Sequence, residues 1–491
     1  MAEDPIETKD GIQEEKTTET APTPTPYSIF TTKQKRWIVA IAALAGWFST
    51  TSSFIYFPAI PFISRDLGVT IEQVSLTVTS YLIAAGIFPA ITGSAADKYG
   101  RRVVFMISLA VYFAVNVGLA VQRSFVALFV LRILQSAAIS GTYSIAYGVI
   151  GDLVTPAERG GYTGVLSVFL NTPPSVSPLI SGLLLIRWTW PSIFWFLAIS
   201  SPVVLLAVVL FLPETCRTIV QNARRRPSPL LRPVFPVLSP LGQEQTDAQA
   251  IDHKDGNKKL LNPLSVLVLL KNPGTLLAIL CFSVYYTVYS CLQASLSTVF
   301  VEVYNTSGLV TGIIYIPFGV AQGVMAYFAG RVLDFDYQKT AKARGLSIDK
   351  HAGDDLSQFP IEHARLRTSR LFLVACGPLI VGYGWALQYR THMAVPLVLQ
   401  FFIGATNQML FTSVNTLLID FHPESPASVQ AANNLVRCEF AAIWMAVLDK
   451  MLKSLGPGWC FVVFAALHML TLPMLWVLTR YGVVWRQKRA R

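Results

Sequence analysis

Apolar runs of about 20 residues, separated by short polar or charged connections, recur along the chain from residue 37 to residue 479. A helix of that length, rising about 1.5 Å per residue, covers the roughly 30 Å of bilayer hydrocarbon. Twelve runs qualify: 37–58, 74–96, 103–121, 125–150, 162–186 and 191–212, then 274–300, 309–329, 371–389, 394–418, 428–449 and 459–479. Barrel strands are excluded, because they are shorter and alternate polar with apolar residues. In hydrocarbon every backbone polar group must be paired within its own segment, so each run is expected to be a helix. The pattern therefore predicts an all-α polytopic membrane protein.

Composition sharpens this. Of 491 residues 53% are hydrophobic and only 14% charged, against about 25% charged in ordinary soluble proteins. A chain with so few charges cannot clothe a water-soluble globule of this size. That excludes a soluble multidomain enzyme, a disordered scaffold and a disulfide-stapled secreted protein. The net charge of +11 does not indicate nucleic acid, since the basic residues lie between the apolar runs rather than on one module. With both chain ends inside, the inner segments hold 31 Lys and Arg and the outer loops 6: Arg65, Arg123, Arg187, Arg390, Lys450 and Lys453. Basic residues favour the cytoplasmic side, and one missed span would invert every later loop. Twelve spans with both termini in the cytosol follow.

The expected organisation is a disordered cytoplasmic tail (1–36), a six-helix bundle (37–212), a cytoplasmic linker (213–273), a second six-helix bundle (274–479) with a cytoplasmic loop at 331–370, and a basic cytoplasmic tail (480–491). The start of the chain is polar, with no apolar core for a cleaved signal peptide. Its Pro22-Thr-Pro-Thr-Pro26 run reads as extended and disordered. The six cysteines are scattered without metal-ligand spacing and read as small core residues. The halves carry matching signals. Gly93 and Asp97 follow the second span, and Gly330 and Asp334 follow the eighth at the same spacing. Duplicated bundles of this kind place a site near the midplane between the repeats and rock about it.

Gly93-Ser-Ala-Ala-Asp97-Lys-Tyr-Gly100-Arg101-Arg102 resembles the loop signature of the major facilitator superfamily. The resemblance implies two six-helix bundles related by a pseudo-two-fold axis, with Gly93, Asp97, Gly100, Arg101, Arg102 and Asp334 at an inner gate. In the fourth span Arg132-Ile-Leu-Gln135-Ser136 is similar to the family's Arg-x-x-Gln-Gly motif, with Ser136 in place of glycine. An arginine in mid-span costs about 2.5–3.5 kcal/mol on insertion scales and should face the interior. It either bonds carbonyls of a neighbouring helix or influences proton transfer and draws in an anion. The fifth span, with Pro174, Pro178 and Gly182, resembles the antiporter signature of the drug:proton antiporter branch, although Pro173, Ser177 and Ser181 replace glycines. Together with Phe211-Leu-Pro-Glu-Thr-Cys-Arg217 and Asn433-Asn-Leu-Val-Arg437, these segments look like the fungal twelve-span drug:proton antiporters.

Candidate pathway residues share helix faces. Asn433, Asn434 and Arg437 lie together on the eleventh span, and Tyr286, Tyr289 and Gln293 on the seventh. With Arg132 and Gln135 they form the expected substrate or proton pathway. Glu439 falls about half a turn from Arg437 and has two readings: a proton carrier, or a partner of a basic group at the helix-packing surface. Asn305-Thr-Ser is a glycosylation sequon in a short outer loop. Asp152, Glu158 and Arg159 read as cytoplasmic anchors.

The expected function is proton-coupled efflux of a small organic compound (a secondary metabolite, drug or organic acid) by alternating access. The two arginines favour an anionic cargo. The alternative is a proton-symport nutrient importer on the same fold. No nucleophile–base pair, phosphate loop or His/Cys cluster suggests an enzyme, and neither a metal nor a cofactor is expected, the proton gradient being the energy source. The expected partners are substrate, protons and lipid, not nucleic acid. The protein is expected to be a monomer in the plasma membrane, with the vacuolar membrane as the alternative.

Overall fold

The computed structural model describes residues 30–154, 162, 165–166, 169–170, 172–220, 232–235, 268–343, 359–422 and 426–490. The N-terminal tail, most of the linker, and Glu158 and Arg159 lie outside the described residues.

Among the described residues the structure is helical, without strands. The first half contains span 1 (Thr32–Phe54), span 2 (Ile71–Tyr99), span 3 (Arg101–Val121), span 4 (Phe125–Leu153), span 5 (Pro173–Arg187) and span 6 (Pro191–Phe211). The second contains span 7 (Pro273–Tyr304), span 8 (Ile316–Ala343, preceded by Gly308–Ile313), span 9 (Ser369–Gln388, preceded by Ile361–Leu366) and span 10 (Ala394–Phe421). A long stretch, Pro426–Met469, follows and runs on into Thr471–Ala490.

Among the described residues ten stretches are long and apolar enough to cross a bilayer. Span 5 is not among them because only 15 of its residues form the described helix. The last of the ten, Val429–Gln487, contains two crossings. At Gly456 the backbone takes φ 73, ψ 165, followed by Pro457. The rings of Trp444 and Phe464 then meet at 5.6 Å, where an unbroken helix would hold them about 30 Å apart. The segments before and after this hairpin are spans 11 and 12. The fold is thus a polytopic bundle of two six-helix halves.

Local chemistry fixes the ends. Thr31 and Thr70 form capping boxes with Gln34 and Gln73 at the starts of spans 1 and 2. Asn272 accepts from the N–H groups of Gly274 and Thr275, with Pro273 opening span 7. Gly100, at φ 106, separates spans 2 and 3 with one residue, a conformation that a side chain would disfavour.

Below this turn the first half is tied together at the end that carries the basic connections. Glu214, just past span 6, accepts from the backbone N–H groups of Arg101 (2.9 Å), Arg102 (3.1 Å), Thr215 and Cys216. The Arg102 side chain donates in return to the carbonyls of Val208, Val209 and Leu212 at the end of span 6. Arg101 pairs with Asp97 and with Asp152.

The second half repeats the scheme. Arg365 before span 9 pairs with Asp420 at the end of span 10 (2.9 Å), as Arg101 does with Asp152. The link to the final helix is charge-reversed: Glu362 before span 9 meets Arg486 in the last turns of the final helix at 3.4 Å. This correspondence carries the pseudo-two-fold relation down to single side chains.

Three sequence expectations change here. The expected loop 331–370 begins as helix, because span 8 runs to Ala343 without a break; Ala, Lys, Gln and Leu in this stretch sustain a helix beyond the apolar run. For the same reason Asp334 does not occupy a turn like that at Gly100. It is exposed, and the buried acid of this segment is Asp336, which accepts from the Thr368 N–H at 3.2 Å. The expected basic tail 480–491 is helical to Ala490, and its Arg486 is docked.

Candidate functional site

The two halves meet along two seams, span 2 against span 11 and span 5 against span 8, which the pseudo-two-fold axis would exchange. Small residues let backbones approach closely at such crossings. A Cβ on Gly86 would lie 2.8 Å from Glu439 Oε1 and 3.2 Å from the Cys438 Cβ. One on Gly312 would lie 2.7 Å from the Pro178 carbonyl oxygen and 2.9 Å from the Gly182 Cα, while Gly319 faces Ser175. Pro174, buried one turn before Pro178, belongs to the same helix. The segment that resembles the antiporter signature therefore forms this second seam.

Both seams open toward the end with the basic connections. Gly93 lies two turns from Gly86 on the same helix face, and Gly323 and Gly330 continue the face of Gly312 and Gly319. Among the described residues, a Cβ on any of the three would meet nothing within 4 Å. At the other end the halves are bridged: Ser75 Oγ donates to Asp449 (3.0 Å) and Ser297 Oγ to the Phe57 carbonyl (2.7 Å). With the basic end taken as cytoplasmic, this is an inward-open arrangement.

Arg132 and Gln135 lie in the core of the first half, both fully buried. The guanidinium is sandwiched between the rings of Tyr56 and Tyr81, its carbon 4.2 and 4.3 Å from their centroids. It donates to the Ser52 carbonyl (3.1 Å) and to Gln135 Oε1, whose amide donates onward to Asn116 Oδ1 (2.7 Å). Ser52, Tyr112 and Thr77 complete the network. Of the two sequence readings, the neighbour-carbonyl bond is present. The counterweights to this charge are ring faces and carbonyl dipoles rather than a carboxylate, and cation–π contacts of this kind are worth about 2 kcal/mol or more when desolvated. Its Nε and Nη2 are buried without a hydrogen-bond partner among the described residues.

Arg437 sits at the boundary between the halves. It donates to Asn434 Oδ1 through Nε (3.1 Å) and Nη2 (2.7 Å), and its guanidinium carbon is 4.5 Å from the Tyr286 centroid. Asn434 Nδ2 donates across the seam to the Ala85 carbonyl of span 2 (2.9 Å). Tyr286 begins an aromatic shelf: Tyr289 is 6.0 Å away and itself meets Phe54 (5.8 Å), Phe318 (5.4 Å) and Phe411 (6.0 Å). One turn further, Gln293 is fully buried, with both amide atoms unpartnered. Asn407, one turn from Phe411, is likewise buried with both amide atoms free. Asn433 is buried, and its Oδ1 has no partner.

Arg437, Asn434, Tyr286 and Tyr289 are thus brought together, with Gln293 one turn beyond Tyr289 on the same helix. Arg132 and Gln135 form a separate centre, behind Tyr81. Glu439 faces Gly86 at the packing surface but makes no ion pair or hydrogen bond among the described residues, so the basic partner weighed from the sequence is not found there. Asn305 is exposed in a left-handed conformation at the end of span 7.

Sequence reasoning missed Tyr81, Asn116, Phe318 and Phe411. A lone asparagine in the apolar run of span 3 was a usable signal for Asn116. Phenylalanines in a membrane helix carry none.

Two duplicated helical halves, meeting around a polar and aromatic centre and parted at one end, define a membrane transporter. The Major Facilitator Superfamily profile matches residues 42–446, and the chain belongs to that family. It is 35% identical over 473 residues to MFS-type transporter tstD of Talaromyces stipitatus, covering 95% of this chain and 85% of the relative. It is 33% identical over 476 residues to Citrate exporter 1 of Aspergillus niger, covering 95% and 89%. The solved structure of a D-xylose-proton symporter shares the fold, with a TM-score of 0.66 at 14% identity over 90% of this chain and 97% of that one. The protein is an integral membrane transporter of small organic compounds rather than an enzyme.

Proposed function

We propose that the protein exports a small organic acid from the cytosol in exchange for protons, acting as a monomer in the plasma membrane. The observation that carries this reading is the seam at Pro178 and Gly182. The segment resembling the antiporter signature packs backbone to backbone on Gly312 of the other half, where a change of access must slide one half over the other. The anionic cargo is supported by Arg437, a cation at the boundary between the halves beside an aromatic shelf, and by the exporter named among the relatives. In the inward-open arrangement the cargo enters from the basic end and rests its apolar part on Tyr286 and Tyr289, with its charge toward Arg437. Closing the inner end and parting the Ser75–Asp449 and Ser297–Phe57 bridges releases it outside.

The test uses inside-out vesicles with radiolabelled organic acids, citrate first. An acid lumen, standing for the exterior, should accelerate uptake, and a protonophore should abolish the acceleration. Uptake indifferent to the gradient would end the claim of proton coupling. Transport that accumulates label only in right-side-out vesicles would favour import.

A further inference from the structure

The proposed exchange needs a group that carries a proton and whose charge decides which end of the bundle is shut. Resting on that reading, we infer that Glu439 is this group, and that its neutral form holds the seam between spans 2 and 11 closed.

The argument is geometric. Glu439 is half-buried as a residue, but its Oε1 is buried, has no hydrogen-bond partner among the described residues, and lies 2.8 Å from where a Gly86 Cβ would stand. One helical turn away, Asn434 bonds the Ala85 carbonyl across the same seam at 2.9 Å, so the two backbones are locked at this level. Among the described residues no cation pairs with the carboxyl. Around Gly86, span 2 carries no charged or titratable residue from Leu82 to Ala90. On its own helix Arg437 is turned to Asn434 and Tyr286, which leaves Cys438 as the neighbouring titratable group.

From span 7, Tyr286 and Tyr289 face Arg437 and the aromatic shelf. From span 9, Cys376 and Tyr383 lie in the apolar core, Tyr383 against Phe461. Asp449 and Lys453 stand about 15 Å or more along the helix, with Asp449 occupied by Ser75 and Glu72 on that same outer side of span 2.

A carboxylate ion without cation or donor in such a place is strongly disfavoured, whereas the acid is tolerated. Ionisation therefore calls for water around Oε1, which reaches it from outside when the seam parts and from the inner opening otherwise. The proton is taken from outside when the outer end is open, its arrival lets spans 2 and 11 close, and it leaves to the cytosol through the inner opening that begins at Gly93, two turns away. The charged form then favours the outward-open arrangement.

The test needs no cargo. Nitroxide labels go on Gly151→Cys and Gly330→Cys, one in each half near the inner opening, where an added Cβ meets nothing within 4 Å among the described residues; the six native cysteines are buried. In the parent the long label distance should dominate at acid pH. Between pH 5 and 8 the ratio of long to short populations should fall by up to about tenfold per pH unit, the limit for one proton. E439Q, a permanent neutral mimic of nearly the same shape, should keep the long distance throughout, its ratio changing less than about twofold. If the E439Q distances titrate like the parent's, or the parent's do not respond to pH while its vesicle uptake does, Glu439 is not the group and the exporter reading stands. If the parent's uptake ignores the gradient, the exchange itself falls instead.

Discussion

Arg102 and Glu214 each finish the helix on which the other's side chain acts. Glu214 accepts the backbone N–H of Arg102 at 3.1 Å, and the Arg102 guanidinium takes up the last carbonyls of the helix that ends just before Glu214. Four N–H and four C=O groups are left over at helix ends, and here one residue pair satisfies several at both. Two spans of one half become a single rigid piece, as rocking motion requires.

Arg102→Met keeps the length of the side chain but strands those carbonyls in a buried corner. Hydrogen bonds to charged groups are worth about 1.5–3 kcal/mol each, so the loss should be at least about 2 kcal/mol. The measurement is unfolding of purified protein in detergent, with Arg101→Met as a comparison: Arg101 also pairs with Asp97 but makes no cap. Equal destabilisation by the two variants would mean that charge, not capping, matters here.

The charge-reversed counterpart predicts a pH effect. Burial pushes the Glu362 carboxyl above its ordinary value of 4.5, against the pull of Arg486. A carboxyl raised on folding contributes stability that is fully present below its unfolded value and is lost as pH rises through the folded one. E362Q cannot titrate. The melting temperature of the parent relative to E362Q should therefore decline as pH is raised from 4 upward. A difference that grows with pH would mean that the Arg486 ion pair outweighs burial.

The bundle was legible because hydrocarbon leaves the backbone no option but helix, and because an arginine or a glycine-flanked aspartate is conspicuous there. The Arg132–Gln135 contact could be read from their three-residue spacing. What could not be read is partnership between helices distant in the chain: that Tyr56 and Tyr81 enclose Arg132, that Gly86 stands against Glu439, or that Asp336 rather than Asp334 is the buried acid. The Gly330–Asp334 spacing misled because span 8, unlike span 2, has no glycine at the position of Gly100 to end it. Helix continuation is decided by such breakers, not by the apolar run alone.

Arg132 and Tyr81 can be separated by substitution. Arg132→Lys keeps the charge, but a point-like ammonium cannot lie flat between two rings while reaching Ser52 and Gln135. Tyr81→Phe keeps a ring face and loses the hydroxyl that bonds the Ser49 carbonyl. Transport of the protein's small organic substrate into vesicles should fall at least about tenfold for Arg132→Lys, the equivalent of about 1.4 kcal/mol, and less than about threefold for Tyr81→Phe. Loss of equal size in both would assign the effect to the hydroxyl.

The glycine face of span 8 gives a sharper test, because its members should act in opposite directions. An alanine at Gly312 would put its Cβ 2.7 Å from the Pro178 carbonyl oxygen. Backbone cannot swing aside like a side chain, so Gly312→Ala must push span 5 and span 8 apart at the end that is now shut. An alanine at Gly323 meets nothing within 4 Å as the molecule stands. Its methyl group is compressed only when the inner ends come together, on the face that Gly312 shares. Gly312→Ala should thus shift the Gly151–Gly330 label distances toward the short, inner-closed population, and Gly323→Ala toward the long one. Both should slow turnover, since a cycle passes through both arrangements, but only Gly312→Ala should lower the melting temperature of the inward-open form. Two variants that move the distances in the same direction would show that the halves do not pivot about this seam.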